Sequence, residues 1–317
     1  MSARFFLTKI LRAVLTLLLV VSFVFIILRI SGDPTDILLP DDASQDTIEF
    51  YRAQWGLDKP LYEQYFTYLA NVLQGNFGES LRDHRDALQV VIERVPATLQ
   101  LGFTALFMAL LIGVPLGIYA ALHRNSMADR LTMSFAVLGY SMPNYFLGIL
   151  MIMLFAMNLQ WLPSSGSATF WHAIMPVMTL ALASPSSSAG ALARFARSAR
   201  LEVLSQSYMR TAKAKGAPYL RRIAWHAVPN AAIPIVTILG FKIGDLIAGA
   251  VVVEVVFAWP GIGRLLAGSV ALRDLPVVQA LFIIIATTMV LSNLAVDLIY
   301  GWLDPRVRGV MSGKAAA

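Results

Sequence analysis

The feature that most constrains this sequence is a set of six long apolar runs. A helix of about 20 residues is about 30 Å long, which is enough to cross the hydrocarbon core of a bilayer. Backbone groups in lipid must satisfy one another, so each run is expected to be a helix. The runs cover residues 11–30, 98–122, 131–157, 173–193, 231–256 and 277–301. The sequence therefore predicts an all-α polytopic membrane protein with six transmembrane helices.

Composition agrees with a chain that resides in lipid and excludes several functions. The chain is 57% hydrophobic and 14% charged, which is more apolar than a soluble domain can bury in one core. It has no cysteine, so disulfides and thiolate metal sites are excluded. The histidines are scattered over both predicted sides of the membrane and are His84, His123, His172 and His226. We therefore expect no metal site, no cofactor and no catalytic residues.

Positive charge beside the apolar runs predicts the orientation of the chain. Lys and Arg near the ends of membrane spans favour the cytoplasmic side. They are frequent between the fourth and fifth runs and recur in residues 303–317, whereas the loop between the third and fourth runs has none. Both termini are thus predicted to lie in the cytoplasm. Because this topology accounts for the net charge of +6, no nucleic-acid partner is expected.

These patterns divide the chain into four parts. Residues 1–30 are predicted to form a cytoplasmic N-terminus and a membrane anchor, because no small-residue cleavage site follows the first run. In residues 31–95 apolar side chains recur at helical spacing, which predicts an extracytoplasmic helical cap. A core of five membrane helices, 96–302, contains a cytoplasmic coupling segment, 194–229, and precedes a cytoplasmic tail, 303–317. The cap could be a lid over the spans or a receptor for cargo or a binding protein.

Glycine-containing motifs predict local geometry at three places. Residues 76–78, with the sequence Asn-Phe-Gly, are typical of a turn. Gly113 and Gly117 are four residues apart in the second run, and Gly240 and Gly244 have the same spacing in the fifth. This spacing predicts close contact between membrane helices, because glycine lets two backbones approach.

The cytoplasmic coupling segment is too polar to enter the membrane and too regular to be a loose linker. Residues 201–208 give one helix an apolar face, and Ala212, Ala214 and Gly216 make the next stretch small and flat. Small side chains allow the surface of another protein to approach closely. Gly216 followed by Pro218 predicts the end of the helix. An alternative is a basic helix that lies on the anionic leaflet of the membrane.

The stretch from Tyr208 to Gly216, together with residues 223–234, resembles the EAA loop of ABC importer permeases. In that family the loop is a coupling helix that sits in a cleft of the ATPase subunit. Arg210 stands at the glutamate position, and this replacement is similar to the form common in the peptide and nickel branch. The resemblance implies that the ATPase-coupling residues are Tyr208, Arg210, Thr211, Ala212, Lys215, Gly216 and Pro229.

Other segments extend the resemblance to the dipeptide, oligopeptide and nickel branch over nearly the whole chain. They are residues 56–62, 75–78, 96–99, 141–144, 257–265 and 274–278. The resemblance implies a type I ABC importer permease fold in a bacterial inner membrane. It also implies, as partners, two ATPase subunits, a second homologous permease subunit and an extracytoplasmic solute-binding protein.

The same resemblance implies a function in ATP-driven uptake. The sequence has no P-loop motif, so ATP hydrolysis is expected in the partner subunits and the chain itself is not expected to be an enzyme. The expected cargo is di- or oligopeptides. A nickel complex, glutathione or another small solute is the alternative cargo.

Polar groups inside the apolar runs are costly in lipid and are therefore candidates for function. Asp245 either pairs with Lys242 on the same helix face or lines the translocation path. Glu254 is near the outer end of its run, where it could act as a gate or contact a binding protein. Ser186 belongs to a serine run that suits a polar wall, a hinge or simple backbone bonding. The candidate path or gate residues are Ser186, Asp245, Glu254, Pro143 and Asn144.

Two functions from other classes are alternatives. An ion-coupled secondary carrier would also need many apolar spans, but no internal repeat relates the two halves. Gly244 and Asp245 supply a fragment of the G-x-G-D pattern of intramembrane aspartyl proteases, and nothing else in the sequence supports that activity. Dependence of uptake on a separate ATPase would distinguish an ABC importer from both.

Overall fold

A computed structural model describes residues 3–30, 44–54, 56–183, 189–205, 207–216, 218 and 250–303. These residues are helical or irregular, and their β pairing is an isolated antiparallel bridge between Glu79 and Asp86. The helices are α1 (Ala3–Ile30), α2 (Gln45–Gln54), α3 (Leu61–Leu73), α4 (Ala87–Ile92), α5 (Val95–Leu122), α6 (Met127–Ser141), α7 (Asn144–Met151), α8 (Phe170–Ala183), α9 (Ala189–Ser205), α10 (Ser207–Ala214), α11 (Ile262–Ala271) and α12 (Leu275–Leu303). A π-helical stretch, Ile152–Asn158, continues α7, and residues 250–256 are also helical.

Three stretches of helix within the described residues are long and apolar enough to cross a membrane. They are Leu7–Ile27, Ala87–Leu122 and Leu275–Ala295, and a bent pair of helices would make a fourth. The first, second and sixth predicted runs are thus confirmed as helices. Most of the fifth run, 231–256, lies outside the described residues, so the number of six spans stays a prediction.

The third apolar run differs from the prediction of one helix. It forms α6 and α7, which meet at an angle of 101°. Pro143 explains the break, because a proline disfavours helical geometry at the residue before it and has no N–H to donate. Met142 accordingly has an extended backbone, with φ −85° and ψ 124°. The prediction of a single helix over 131–157 is therefore wrong.

One compact unit comprises the described parts of Ala97–Arg264 and Ser292–Ala317. Its buried apolar core draws on α5, α8 and the stretch that precedes α11, and includes Leu101, Ala105, Met175, Leu180, Val253, Phe257 and Trp259. Within a bilayer, helices are held together by close packing and hydrogen bonds rather than by exclusion of water. The tight helix contacts of this unit therefore matter more than its apolar area.

The glycine pair of α5 makes one of these tight contacts, as its spacing predicts. A Cβ on Gly113 would overlap the carbonyl oxygen of Ala189, and one on Gly117 would overlap that of Ala193. Small residues four apart on α5 thus face small residues four apart on α9. The corresponding pair at 240–244 lies outside the described residues.

The second compact unit comprises the described parts of Ser2–Pro96 and Leu265–Leu291. Within it α3 packs on α1, where the hydroxyls of Ser22 and Tyr65 are 2.6 Å apart and the rings of Phe25 and Tyr65 meet edge to face. The helices α2, α3 and α4 agree with the predicted helical content of residues 31–95. The division of the chain into four domains stays a prediction.

The predicted turn at residues 76–78 is present in this unit. Gly78 has φ +85°, and its N–H donates to the side-chain oxygen of Asn76 at 3.0 Å. Beyond the turn, Asp274 holds the following loop. One of its carboxylate oxygens accepts from the Ser80 hydroxyl at 2.6 Å, and the other accepts from the Leu81 N–H at 3.2 Å.

Candidate functional site

The predicted coupling residues lie largely on α10, a helix of eight residues that directly follows α9. Thr211 is exposed, and its hydroxyl donates to the Ser207 carbonyl at 3.1 Å. The N–H of Lys215, which is also exposed, donates to the Thr211 carbonyl at 3.0 Å. Tyr208, Arg210 and Ala212 have their backbones in the same helix. The structure therefore places four of these five residues on α10 and Lys215 directly after it, with Thr211 and Lys215 exposed.

Gly216 ends this element, as the sequence predicts. It has φ +76°, which is a left-handed conformation that other residues rarely adopt. Among the residues that the structure describes, none has an atom within 4 Å of the position that a Cβ would take, so the backbone conformation explains the glycine. Gly216 is exposed. Pro229, the last of the predicted coupling residues, lies outside the described residues.

Of the predicted path or gate residues, Pro143 and Asn144 lie at the bend between α6 and α7. Pro143 occupies the cap position of α7 and Asn144 is the first residue of that helix. Ser186 and Asp245 lie outside the described residues.

Glu254 is fully buried and lies at the N-terminus of α11. One carboxylate oxygen accepts a hydrogen bond from the Thr98 hydroxyl at 2.6 Å. The other accepts from the backbone N–H groups of Gly263 at 2.7 Å and Arg264 at 3.1 Å. The carboxylate thus caps the first turn of α11, where free N–H groups and the helix dipole favour negative charge.

The turn before α11 is built around this carboxylate. A Cβ on Gly261 would overlap the carboxyl group of Glu254, so no other residue fits at this position without a shift. The Trp259 N–H donates to the Glu254 carbonyl at 2.8 Å, and the Trp259 indole donates to the Ala97 carbonyl at 2.9 Å. Glu254 therefore organises a turn and a helix start, and its role as a gate stays a prediction.

Thr98 is a residue of this cluster that sequence analysis did not single out. Its hydroxyl donates to Glu254 and accepts from the N–H of Ile262 at 2.9 Å, so one side chain joins α5 to α11. In the sequence, Thr98 belongs to residues 96–99, one of the segments that carry the resemblance to the dipeptide, oligopeptide and nickel branch.

An ion pair between Asp129 and Arg197 was also not predicted. Two guanidinium nitrogens of Arg197 donate to the two carboxylate oxygens of Asp129, at 2.6 and 2.8 Å. Asp129 is buried, and it also accepts from the Asn125 N–H at 2.9 Å. The Ser-x-x-Asp pattern from Ser126 to Asp129 is a capping signal that could have identified the carboxylate, but not its partner.

No group of three or more His, Asp or Glu side chains in the described part of the chain could hold a metal ion. The structure presents apolar helices of membrane-spanning length and a short helix, Ser207–Ala214, that is followed by Gly216. Together these features define the class of polytopic membrane proteins. The comparisons with known proteins then identify the family.

Residues 113–309 match the family described as "Binding-protein-dependent transport system inner membrane component", and residues 2–102 match the N-terminal region of such membrane components. The chain therefore belongs to the family of binding-protein-dependent transport system inner-membrane components, which are permease subunits of ABC importers. A multi-pass location in the inner membrane follows from the family and from the apolar helices.

Relatives agree with this membership, and a solved structure agrees with the fold. The chain is 41% identical over 303 residues to the glutathione transport system permease protein GsiC of Salmonella paratyphi A, covering 95% of this chain and 98% of that one. The protein of the same name from Escherichia coli K12 is 41% identical over 294 residues, covering 92% and 95%. The inward-facing MetNI methionine ABC transporter has a TM-score of 0.54 at 20% identity, covering 68% of this chain and 97% of that chain.

These comparisons confirm the predicted all-α fold of a type I ABC importer permease and the resemblance to the peptide and glutathione branch. The chain is a permease subunit and not an enzyme, since the ATPase of such systems is a separate subunit. In general, permeases of this family act together with ATPase subunits, a partner permease and a binding protein.

Proposed function

We propose that this chain is the permease subunit of an ATP-driven importer for glutathione. The observation that carries the proposal is the 41% identity to glutathione permeases over 95% of this chain. The sequence pattern favoured di- or oligopeptides, with glutathione as an alternative. Glutathione is a tripeptide and therefore belongs to the same chemical class as di- and oligopeptides. It differs from them only in size and in the linkage between its residues. Short peptides are the second candidate.

Competition for uptake tests the cargo. The complete transporter is reconstituted in proteoliposomes with its binding protein, and uptake of radiolabelled glutathione is measured with ATP on the ATPase side. Excess unlabelled glutathione is expected to abolish uptake of the label, while excess dipeptide or nickel leaves most of it. Stronger competition by a dipeptide or by nickel than by glutathione would contradict the proposed cargo.

We further propose that α10 and Gly216 form the contact with the ATPase subunit. Thr211, Ala214, Lys215 and Gly216 are exposed, and no atom of the described residues lies within 4 Å of the position that a Cβ on Gly216 would take. Small, accessible residues allow a second protein to approach the helix backbone. The departure of Arg210 from the usual glutamate supports a docking surface suited to the ATPase subunits of this branch.

Cross-linking tests this contact, because the chain has no cysteine. Lys215→Cys is expected to cross-link to the ATPase subunit of the assembled complex through a short reagent that joins a maleimide, which alkylates the new thiol, to a succinimide ester, which acylates a lysine of the ATPase subunit. The matched control is Gln160→Cys, an exposed position in the predicted extracytoplasmic loop. Equal cross-linking of both variants, or none from Lys215→Cys, would contradict the contact.

The remaining expectations belong to the same proposal. Both termini lie in the cytoplasm, and the coupling segment faces the same side as the ATPase subunits. A second homologous permease subunit completes the pathway. Two ATPase subunits bind on the cytoplasmic side, and the solute-binding protein binds on the extracytoplasmic side. Basic residues in the loops support this orientation.

A further inference from the structure

The helix α9, which precedes the coupling element α10, packs closely against α5 at two glycines. Ala189 and Ala193 contact Gly113 and Gly117 so closely that a Cβ on Gly117 would lie 2.9 Å from the Cα of Ala193. These close approaches bring the two helices to a short distance from each other, because glycine places no side chain between them.

A second backbone contact joins α9 to α6. A Cβ on Gly190 would lie 2.6 Å from the Cα of Ala136. The α9 helix is therefore packed against α5 and α6 at the end that is remote from α10. Apolar packing is not directional, however, and it does not by itself stop one helix from rotating or sliding on another.

The ion pair supplies the missing directional contact. Arg197 follows Ala193 by four residues on α9, so it extends the same helix face towards α10. Its planar guanidinium holds both oxygens of Asp129, an arrangement that fixes orientation as well as distance. Asp129 is held in turn by the Asn125 N–H, and its own N–H donates to the Ser126 hydroxyl at 3.3 Å. The corner between α5 and α6 is thus tied to the middle of α9, the helix that precedes the coupling element.

We propose that Asp129 and Arg197 are positioning residues for ATP-driven transport, which make α5, α6 and α9 move as one body with the coupling element. Through this pair a displacement of α10 by the ATPase subunit reaches the membrane helices instead of being lost in rotation of α9. The inference rests on the proposed coupling role of α10. It predicts that breaking the pair reduces the cargo moved per ATP hydrolysed, while the complex still assembles and hydrolyses ATP.

The first test uses the complete transporter in proteoliposomes with radiolabelled glutathione. Arg197→Gln is expected to lower the ratio of glutathione imported to ATP hydrolysed by roughly 2- to 30-fold, the range seen when residues that couple two sites are altered. Arg197→Lys keeps the positive charge but cannot form the bidentate pair with Asp129. It should give an intermediate ratio of glutathione imported to ATP hydrolysed. Arg130→Gln removes an exposed cation next to Asp129 and should leave the ratio unchanged.

A covalent replacement of the pair keeps the proposal testable if single variants are unstable. Asp129→Cys and Arg197→Cys are combined and treated either with a short bifunctional thiol reagent or with a monofunctional one. Both samples lack the ion pair and the hydrogen bond from the Asn125 N–H to the Asp129 carboxylate, so only the tether differs. Cross-linking is expected to raise the ratio of glutathione imported to ATP hydrolysed towards the wild-type value.

The possible outcomes separate this inference from the proposed function. An unchanged ratio of import to hydrolysis in Arg197→Gln would overturn the inference, because the pair would not be needed for coupling. A tether that lowers the ratio further would also overturn it, because the helices would then have to move past one another. Loss of assembled complex with a normal ratio in the remainder would make the pair purely structural and would also overturn it. If the wild-type complex imports no glutathione with ATP, the proposed function fails instead.

Discussion

Thr98 and Glu254 are 156 residues apart in the sequence, and their side chains share a hydrogen bond of 2.6 Å in a fully buried site. Thr98 also accepts a hydrogen bond from the Ile262 N–H. A single hydroxyl thus satisfies a buried carboxylate and a free N–H group at a helix start. Buried polar groups are costly when they are left unpaired. The Thr98 hydroxyl therefore contributes to the free energy of unfolding through both of its hydrogen bonds.

Removal of the Thr98 hydroxyl is expected to destabilise the protein. Thr98→Val keeps the shape of the side chain but leaves the Glu254 oxygen and the Ile262 N–H each without that partner. The expected cost is roughly 1–3 kcal/mol, seen as a lower melting temperature of the purified permease in detergent. Thr98→Ser retains the hydroxyl and should lie close to wild type. Equal melting temperatures for Val and Ser would mean that the hydrogen bonds contribute little.

Gly261 is expected to tolerate no side chain. In Gly261→Ala the added methyl group overlaps the Glu254 carboxyl group, so the turn or the carboxylate must shift. The expected loss is about 1–3 kcal/mol, as for other overpacked sites. Gly268→Ala, in open space on α11, is the matched control and should be neutral or gain about 0.5–1 kcal/mol from better helix propensity. A similar fall in melting temperature for both variants would argue against the close approach at Gly261.

The contact between Ser80 and Asp274 is expected to order the loop after the predicted turn. Asp274→Ala removes the acceptor of the Ser80 hydroxyl and of the Leu81 N–H. Hydrogen exchange at residues 79–86 should then become faster. Asp83→Ala, which removes an exposed ion pair with Arg82 in the same loop, should change exchange far less, because surface pairs contribute little. Unchanged exchange in Asp274→Ala would show that other contacts order the loop.

Local patterns in the sequence were sufficient to predict much of the fold. Apolar length predicted the helices of the first, second and sixth runs. Glycine followed by proline predicted the end of α10, and the spacing of Gly113 and Gly117 predicted a close helix contact. The bend at Pro143 could have been predicted too, because proline restricts the residue before it. Each of these features depends on neighbours within a few residues.

The buried polar contacts could not be predicted in the same way. Arg197 is 68 residues from Asp129, and Asp274 is 194 residues from Ser80, so only the folded chain brings them together. In the sequence Arg197 was one of many basic residues that orientation in the membrane could explain. Periodicity reveals which face of a helix is apolar, but it carries no information on which distant group a polar side chain will meet.

The most direct test of the central claim is ATP-dependent uptake of radiolabelled glutathione by the reconstituted transporter, with Gly216 as the variable. Gly216→Asn keeps a residue that tolerates a positive φ and should retain most of the uptake. Gly216→Trp places a bulky side chain on the open surface beside α10 and should abolish uptake, while the permease remains inserted in the membrane. Uptake that does not require ATP, or that is unaffected by Gly216→Trp, would contradict a permease driven through this segment.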